Sequence, residues 1–377
     1  MYMMLDVNSP RVGEAIATFE PWTTYYMEYL NRTFAIVEAF SNYPNTLLFF
    51  SGNEIINDLE SAEQVPPYIR AVGRDLKNYI KNNIDRKIPV GYSAADVREV
   101  LWDTYNYLQC HIDGDEDDMS RGDIFALNSY SWCGKKATFE TSSFDKLVEG
   151  FKEAPFPVFL SEYGCNETPE RWWNETQSIY GQDMYDTFSG GVVYEWTQEK
   201  NDYGLVNTTD DGTHIMDDYN RLRDQFSMID WEAVFALKGE DENMVVTECS
   251  SDLITEDEFL SEFKLPKVPP GAQTLIDNGI KKKPSGKIVE ISNWKTTLEV
   301  FDNDGNVIED LEVVPLGDDE FNWYGKNELS TVSTTSGGDG EDAETAKAEE
   351  GGEEGGAMMA IPVMWAAALP MLAMLFA

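Results

Sequence analysis

The stretch TLLFFSGNEIIN, residues 46–57, is a short apolar run that ends abruptly in polar residues and delivers Glu54. A second stretch of the same design, FPVFLSEYGC at residues 156–165, delivers Glu162. Each predicts a buried strand, because the apolar run is short, rich in Phe, Leu and Val, and bounded by Pro or Gly. Active sites of parallel α/β barrels are built at the carboxyl ends of the strands. Two carboxylates at that face indicate glycoside cleavage.

A single glutamate after a strand is usually a helix-start residue or a solvated loop charge, so neither glutamate alone indicates a site. The neighbouring residues favour a site, since Asn53 precedes Glu54 and Tyr163-Gly164 follows Glu162. Trp and Tyr residues also lie at the ends of the other predicted strands. The two stretches are therefore interpreted together, as the two halves of one catalytic face.

The composition narrows the class of protein. With 377 residues, the chain can bury one large core and an appendage. The net charge of −41 argues against a nucleic-acid partner, since phosphates are bound by Lys and Arg. It fits a secreted protein with an uncharged ligand. Ten Trp residues suit a cleft that stacks sugars, although most of the aromatic rings are expected in the core.

Cysteines, histidines and glycosylation motifs give the compartment. The four cysteines lack metal-ligand spacing and there are only two histidines, so we expect no metal and no cofactor. Four Asn-X-Thr motifs favour the secretory pathway and therefore disulfides. Four cysteines allow three pairings. The predicted glycosylation sites are Asn31, Asn166, Asn174 and Asn207, and the cysteines are Cys110, Cys133, Cys165 and Cys249.

The C-terminus carries a targeting signal. Residues 357–377 are uncharged and apolar, and an acidic, Gly-rich linker at 330–356 precedes them. That order is typical of a glycosylphosphatidylinositol (GPI) attachment signal, which predicts a cell-surface protein on the outer leaflet of the plasma membrane. The alternative is a tail-anchored transmembrane helix. Pro362, Pro370 and the lack of basic residues beyond the tail weigh against it.

Six strand–helix units are predicted between Tyr2 and Trp196, including a helix over 169–188, so a parallel sheet is expected. Residues 1–7 lack the features of a signal peptide and predict a strand. Six units are too few to close an eight-stranded barrel. A (β/α)8 barrel would therefore lack its first two βα units in this chain. The alternative is an open, doubly wound sheet, but no Gly-rich phosphate loop follows any strand.

Period-two alternation over 287–323, with a turn signal at 302–306, predicts a small β-rich C-terminal appendage. We interpret it as structural, with a weak glycan-binding module as the alternative. The predicted domains are a catalytic domain at 1–235, a C-terminal extension at 236–329, the linker at 330–356 and the attachment signal at 357–377.

Five blocks carry a family resemblance: LLFFSGNEIIN (47–57), IPVGYSAAD (88–96), LNSYSWCG (127–134), VFLSEYGCN (158–166), and FSGGVVYEW (188–196) followed by NDYGLV (201–206). In order and spacing they resemble the catalytic domain of the fungal 1,3-β-glucanosyltransferases of glycoside hydrolase family 72. The resemblance implies a (β/α)8 TIM barrel and a retaining enzyme that cleaves and re-ligates β-1,3-glucan in cell-wall assembly. Its implied partners are donor and acceptor glucan chains, and the membrane through a GPI anchor.

The resemblance also implies roles for individual residues. Glu54 matches the acid/base and Glu162 the nucleophile, and Asn53 would hydrogen-bond the sugar 2-hydroxyl. Tyr130 and Tyr194 match positions that contact the donor sugar or the nucleophile.

Asp6 matches a cleft residue of the family. The family pattern further implies the disulfides Cys133–Cys165 and Cys110–Cys249.

Two other functions remain open at this stage. A retaining β-glucan hydrolase would use the same two glutamates, and the preference for transfer comes from the resemblance alone. A non-catalytic, anchored wall protein is the third hypothesis, because a six-unit barrel would expose sheet edges. The first two strands of the family, with a further cysteine pair, have no counterpart in this sequence.

Overall fold

A computed structural model of the chain describes residues 2–168, 170–238, 246–284 and 286–315. The predicted linker at 330–356 and the apolar tail at 357–377 lie outside the described residues. Across the described ranges, no helix combines the length and hydropathy that a membrane span requires.

The centre of the fold is a six-stranded parallel sheet whose spatial order follows the chain order throughout. Parallel crossovers are right-handed, so an order that never reverses places the connecting helices on one face. This excludes the doubly wound alternative, in which the strand order reverses. Within the described residues the first and last strands do not pair, so the sheet is a curled half-barrel. Its elements are β1 (Met3–Asp6), α1 (Met27–Phe40), β2 (Thr46–Asn53), α2 (Leu59–Ala62), α3 (Pro66–Asn83), β3 (Val90–Ala95), α4 (Arg98–Gln109), β4 (Ile124–Ser129), α5 (Phe144–Phe151), β5 (Val158–Tyr163), α6 (Glu175–Ile179) and β6 (Gly191–Val193).

The strands bury apolar side chains on both faces, as their continuous apolar runs predict. In β2, Phe49 belongs to the main core, which the helices cover. Its neighbours Leu48 and Phe50 form a second, smaller cluster with Ala126 and Phe159 on the opposite face. Successive side chains of a strand point to opposite faces, so this second cluster marks the inner face of the half-barrel.

A second sheet of three strands and a set of short helices follow the half-barrel. The disulfide Cys110–Cys249 joins the end of α4 to the C-terminal extension. The side-chain amide of Asn83 donates to the carbonyl of Ile276, 2.8 Å away, and ties the last helix to α3. These elements are β7 (Val206–Thr209), β8 (Gly212–Ile215), α7 (Asp217–Ser227), α8 (Trp231–Ala236), α9 (Ala272–Asn278) and β9 (Val300–Phe301).

The helix predicted over 169–188 is wrong for most of its length, since only Glu175–Ile179 is helical. Glu170 and Trp173 have φ angles of 66° and 58°, in the left-handed region that a helix cannot contain. The side chains of Arg171 and Trp173 are both buried. Their burial comes with this irregular backbone and not with a regular helix.

The β-rich appendage predicted over 287–323 is likewise wrong for most of the part that is described. Its regular strand is β9 alone, which pairs with β8, while the turn at 302–306 forms as predicted and brings Phe301 opposite Val307. Ile288 and Val289 are 74% and 69% exposed, so the alternating pattern has no face to bury here. Alternation without a partner sheet does not stabilise a strand.

Candidate active site

A bulge at the carboxyl end of β2 presents Asn53 and Glu54. Phe50 pairs with Gly91 and Asn53 with Ser93, so β2 has one more residue than β3 between these two pairs. Such a bulge bends the strand and redirects the side chains that follow it. Glu54 then takes a left-handed φ of 51°, while its backbone N–H donates to the Ser93 carbonyl, 2.8 Å away.

A second bulge presents Glu162 at the end of β5. Leu127 pairs with Leu160 and Asn128 with Glu162, which leaves Ser161 as the extra residue. Strict alternation from Leu160, which lies in the outer core, would point Glu162 outwards as well. The extra residue reverses the alternation, so Glu162 faces the inner side.

Asn128, which sequence reasoning missed, lies at the centre of the site. Its side-chain nitrogen donates to Asn53 Oδ1 and to Glu54 Oε1, each 3.1 Å away. Its side-chain oxygen accepts from Ser93 at 3.0 Å and from Ser161 at 2.7 Å. Two sequence signals were available: its position at the end of the strand predicted over 124–128, and its place in the LNSYSWCG block at 127–134. Asn128 thus fixes the position of Glu54 relative to the bulge that carries Glu162.

Glu162 is held by hydrogen-bond donors in a partly buried, acidic environment. The Tyr130 hydroxyl donates to Glu162 Oε2 at 2.5 Å. Burial is the largest cause of a raised pKa at Glu162, and the negative charges of Glu54 and Glu195 raise it further. Hydrogen bonds from Tyr130 and Asn128 oppose the rise, because they favour the ionised carboxylate. The two glutamates therefore interact electrostatically at one end of the half-barrel.

Three tyrosine rings form a cluster beside Glu162. Tyr130 and Tyr194, both predicted from the sequence, lie edge to face with ring centroids 6.1 Å apart. The third ring is Tyr203, 5.6 Å from Tyr130 and 5.2 Å from Tyr194. Sequence reasoning quoted the NDYGLV block but did not single out Tyr203. Edge-to-face packing fixes the three rings relative to one another.

A disulfide fastens two of the loops that form the site. Cys133 and Cys165 are bonded, as the resemblance implies, and they join the loop that carries Tyr130 to the loop after Glu162. Glu167 lies close to both sulfurs, and the three side chains are spaced as the ligands of a metal ion would be. Because the two sulfurs are bonded to each other, they are not available as thiolate ligands.

Asp6 lies at the end of β1, on the same edge of the sheet as Glu54. Burial raises the pKa of Asp6 from 3.8 to about 6, although hydrogen bonds from Asn8 oppose the rise. Burial is the main cause of a raised pKa at Tyr92, and the negative charges of Glu54 and Asp6 raise that pKa further. Both carboxylates therefore lie near the Tyr92 hydroxyl. A role for Asp6 in substrate binding stays a prediction.

The raised pKa of Asp6 predicts a pH-dependent stability. The stability that the protonated Asp6 contributes is fully present below a pH of about 3.8 and is lost as the pH rises through about 6. Asparagine is neutral at every pH, so we expect Asp6→Asn and wild type to unfold at similar urea concentrations at pH 4. At pH 7 the variant should be more stable by at most about 3 kcal/mol. Urea unfolding at both pH values checks this, with the exposed Asp113→Asn as control; an equal difference at both pH values would contradict it.

The four predicted glycosylation sites fall into two groups. Asn31 and Asn207 are exposed. Asn166 and Asn174 are half-buried, and the side-chain nitrogens of both donate to backbone carbonyl oxygens. Asn31 and Asn207 are therefore the more accessible pair. Glycosylation at all four sites stays a prediction.

A family model described as glucanosyltransferase matches residues 1–230. The chain belongs to the glucanosyltransferase family. The resemblance found in the sequence is thereby confirmed.

The relatives agree with this membership. The 1,3-beta-glucanosyltransferase gel2 of Aspergillus fumigatus is 44% identical over 333 residues, which are 88% of this chain and 69% of that protein. The probable 1,3-beta-glucanosyltransferase GAS3 of Saccharomyces cerevisiae is 38% identical over 89% of this chain and 65% of that protein.

Solved structures support the fold. Gas2p of Saccharomyces cerevisiae in its apo form has a TM-score of 0.61 and 31% identity, covering 71% of this chain. Its complex with laminaritetraose and laminaripentaose has a TM-score of 0.59 and 32% identity, covering 71% of this chain. This chain spans 54% and 57% of the length of those two chains.

Proposed function

We propose that this protein is a retaining 1,3-β-glucanosyltransferase, which cleaves a β-1,3-glucan chain and joins the released end to another chain. The observation that carries the proposal is the pair Glu54 and Glu162, presented by bulges at the ends of two strands of one half-barrel and linked through Asn128. Membership of the glucanosyltransferase family and the laminari-oligosaccharides bound to Gas2p support β-1,3-glucan as the substrate.

In the first half of the proposed reaction, Glu54 donates a proton to the leaving glycosidic oxygen and Glu162 attacks the anomeric carbon. The Tyr130 hydroxyl, which donates to Glu162, suits the nucleophile because it favours and orients a carboxylate. Glu54 then occupies the remaining position, that of the acid. The bond between the leaving sugar and the anomeric carbon breaks as the glycosyl ester with Glu162 forms.

In the second half, the 3-hydroxyl of an acceptor glucan attacks the glycosyl ester and Glu54, now a carboxylate, removes its proton. Asn53, whose Oδ1 also accepts from Asn128, is the residue assigned to hydrogen-bond the sugar 2-hydroxyl. That hydrogen bond strengthens as positive charge develops on the sugar ring. Water in place of the acceptor would give hydrolysis.

The cell-surface location remains part of the proposal. The order of the acidic linker at 330–356 and the apolar tail at 357–377 supports a GPI anchor on the outer leaflet. The substrate is uncharged, so a net charge of −41 does not oppose its binding.

The proposed function is tested by incubating the protein with a reduced β-1,3-gluco-oligosaccharide and measuring the lengths of the products. Products longer than the donor support transfer. New reducing ends without longer products would show that the protein is a hydrolase. No product at all from folded protein would support the third hypothesis, a non-catalytic wall protein.

Tyr130 should set the acidic limb of the pH profile. Its hydroxyl lowers the pKa of Glu162, so Tyr130→Phe should raise that pKa and leave less ionised nucleophile at a given pH. We expect the acidic limb of kcat/KM to move to higher pH and the optimum value to fall about tenfold. Tyr203→Phe keeps the bond from Tyr130 to Glu162 and should leave the limb in place. If the acidic limb of kcat/KM did not move in Tyr130→Phe, Tyr130 would not be the residue that lowers the pKa of the nucleophile.

A further inference from the structure

The segment that carries Tyr203 is a tight turn with a strained backbone. Asp202 has a left-handed φ of 62°, which is uncommon for a residue with a side chain. Its backbone N–H donates to the Glu199 carbonyl at 3.2 Å, and its side chain accepts from Gln198 at 2.6 Å. The turn therefore needs external contacts to hold Tyr203 against the other two tyrosines.

Asn166 supplies such contacts from the loop that follows Glu162. Its side-chain nitrogen donates to the carbonyl oxygens of Asn201 and Asp202, at 2.9 and 3.1 Å. Burial raises the pKa of Tyr203, and the nearby backbone of Asn166 opposes the rise. Asn166 thus holds the backbone of the turn that carries Tyr203.

Asn166 is itself fixed in position. It follows Cys165, whose disulfide joins the loop of Tyr130, and it lies four residues after Glu162. Displacing Asn166 would therefore require movement of a cross-linked loop.

The other side of the Tyr203 segment is held by Arg171, whose side chain is buried. Its guanidinium donates to the Tyr194 carbonyl at 2.9 Å and to the Tyr203 carbonyl at 2.7 Å, and it pairs with Asp218. Arg171 fixes the backbone of the segment at its base. Asn166 fixes the turn at its tip, through the carbonyls of Asn201 and Asp202.

The side-chain amide of Asn166 has two protons, and both are used. An N-linked glycan would replace one of them, so the full clamp and a glycan at Asn166 exclude each other. Asn166 nevertheless begins an Asn-Glu-Thr motif, whose Thr168 is exposed.

We propose that Asn166 is a positioning residue that clamps the turn of Tyr203 beside the nucleophile, and that it carries no glycan in the active protein. The proposal rests on the proposed function for its effect on catalysis. The clamp itself is a structural claim that can be tested without activity.

Two variants separate the clamp from the glycosylation motif. Thr168→Ala removes the motif and leaves both donors of Asn166, so its kcat and KM should stay within about twofold of wild type. Asn166→Asp has nearly the same shape but sets a carboxylate against two carbonyl oxygens. We expect KM for the oligosaccharide to rise about tenfold with kcat changed less than about threefold, because Tyr203 loses its support while Tyr130 keeps its bond to Glu162.

Two measurements on the full-length secreted protein complete the test. Glycopeptide mass spectrometry of wild type should find residue 166 unmodified. Amide hydrogen exchange over 199–206 should be faster in Asn166→Asp than in Thr168→Ala. A glycan on Asn166 in active protein, or equal effects of the two variants on KM and exchange, would overturn the proposal. Wild-type protein without any activity would instead reject the proposed function, while the glycan and exchange results would still decide the clamp.

Discussion

Replacing Glu162 with glutamine should abolish both transfer and hydrolysis, lowering kcat/KM by about 10⁴-fold or more. The amide is a very poor nucleophile, so no glycosyl ester forms. The Tyr130 hydroxyl can still donate to the amide oxygen, and the fold around the site should therefore persist. Oligosaccharide product analysis at enzyme concentrations high enough to detect residual turnover measures the loss.

The matched control is Glu167→Gln, the same chemical change five residues further along the chain, in the loop after β5. Glu167 is exposed, so its loss should leave kcat/KM within about threefold of wild type. Near-normal activity in Glu162→Gln, with unfolding curves alike in all three proteins, would show that another group is the nucleophile.

Much of the half-barrel was predictable because its signals are local. The apolar runs at β2 and β5 end in polar residues, and the amphipathic pattern of α3 places Ile69, Val72 and Leu76 on its buried face, as observed. Glu54 and Glu162 stood out because a strand end is where a parallel sheet presents functional groups. The family blocks added the disulfide pairs, which spacing alone left open.

The local geometry of the site was not predictable from periodicity. Alternation from Leu160 would have placed Glu162 in the outer core, and only the extra residue Ser161 turns it inwards. Asn128 and Tyr203 were missed because their importance comes from partners distant in the chain. The same reason explains the failed helix at 169–188, where Arg171 adopts the backbone that its distant carbonyl partners require.

Replacing Glu54 with glutamine should separate the two glutamates by role. A natural glucan leaves as a basic alkoxide unless it is protonated, so loss of the acid should lower kcat/KM about 10³-fold. A β-1,3-gluco-oligosaccharyl fluoride needs little protonation to depart, because fluoride is a stable leaving group. With that donor Glu54→Gln should still form the glycosyl ester on Glu162, at a rate close to wild type.

The ester should then accumulate in Glu54→Gln, because the acceptor hydroxyl lacks the base that would remove its proton. Intact-protein mass spectrometry after mixing with the fluoride donor would show one added oligosaccharide in Glu54→Gln and none in Glu162→Gln. The control Glu60→Gln, an exposed residue on α2, should turn over normally with both donors. If Glu162→Gln formed the adduct and Glu54→Gln did not, the roles would be reversed. Equal inactivity of both variants on the fluoride would remove Glu54 from the acid role, since a pure proton donor is dispensable for a leaving group that needs no proton.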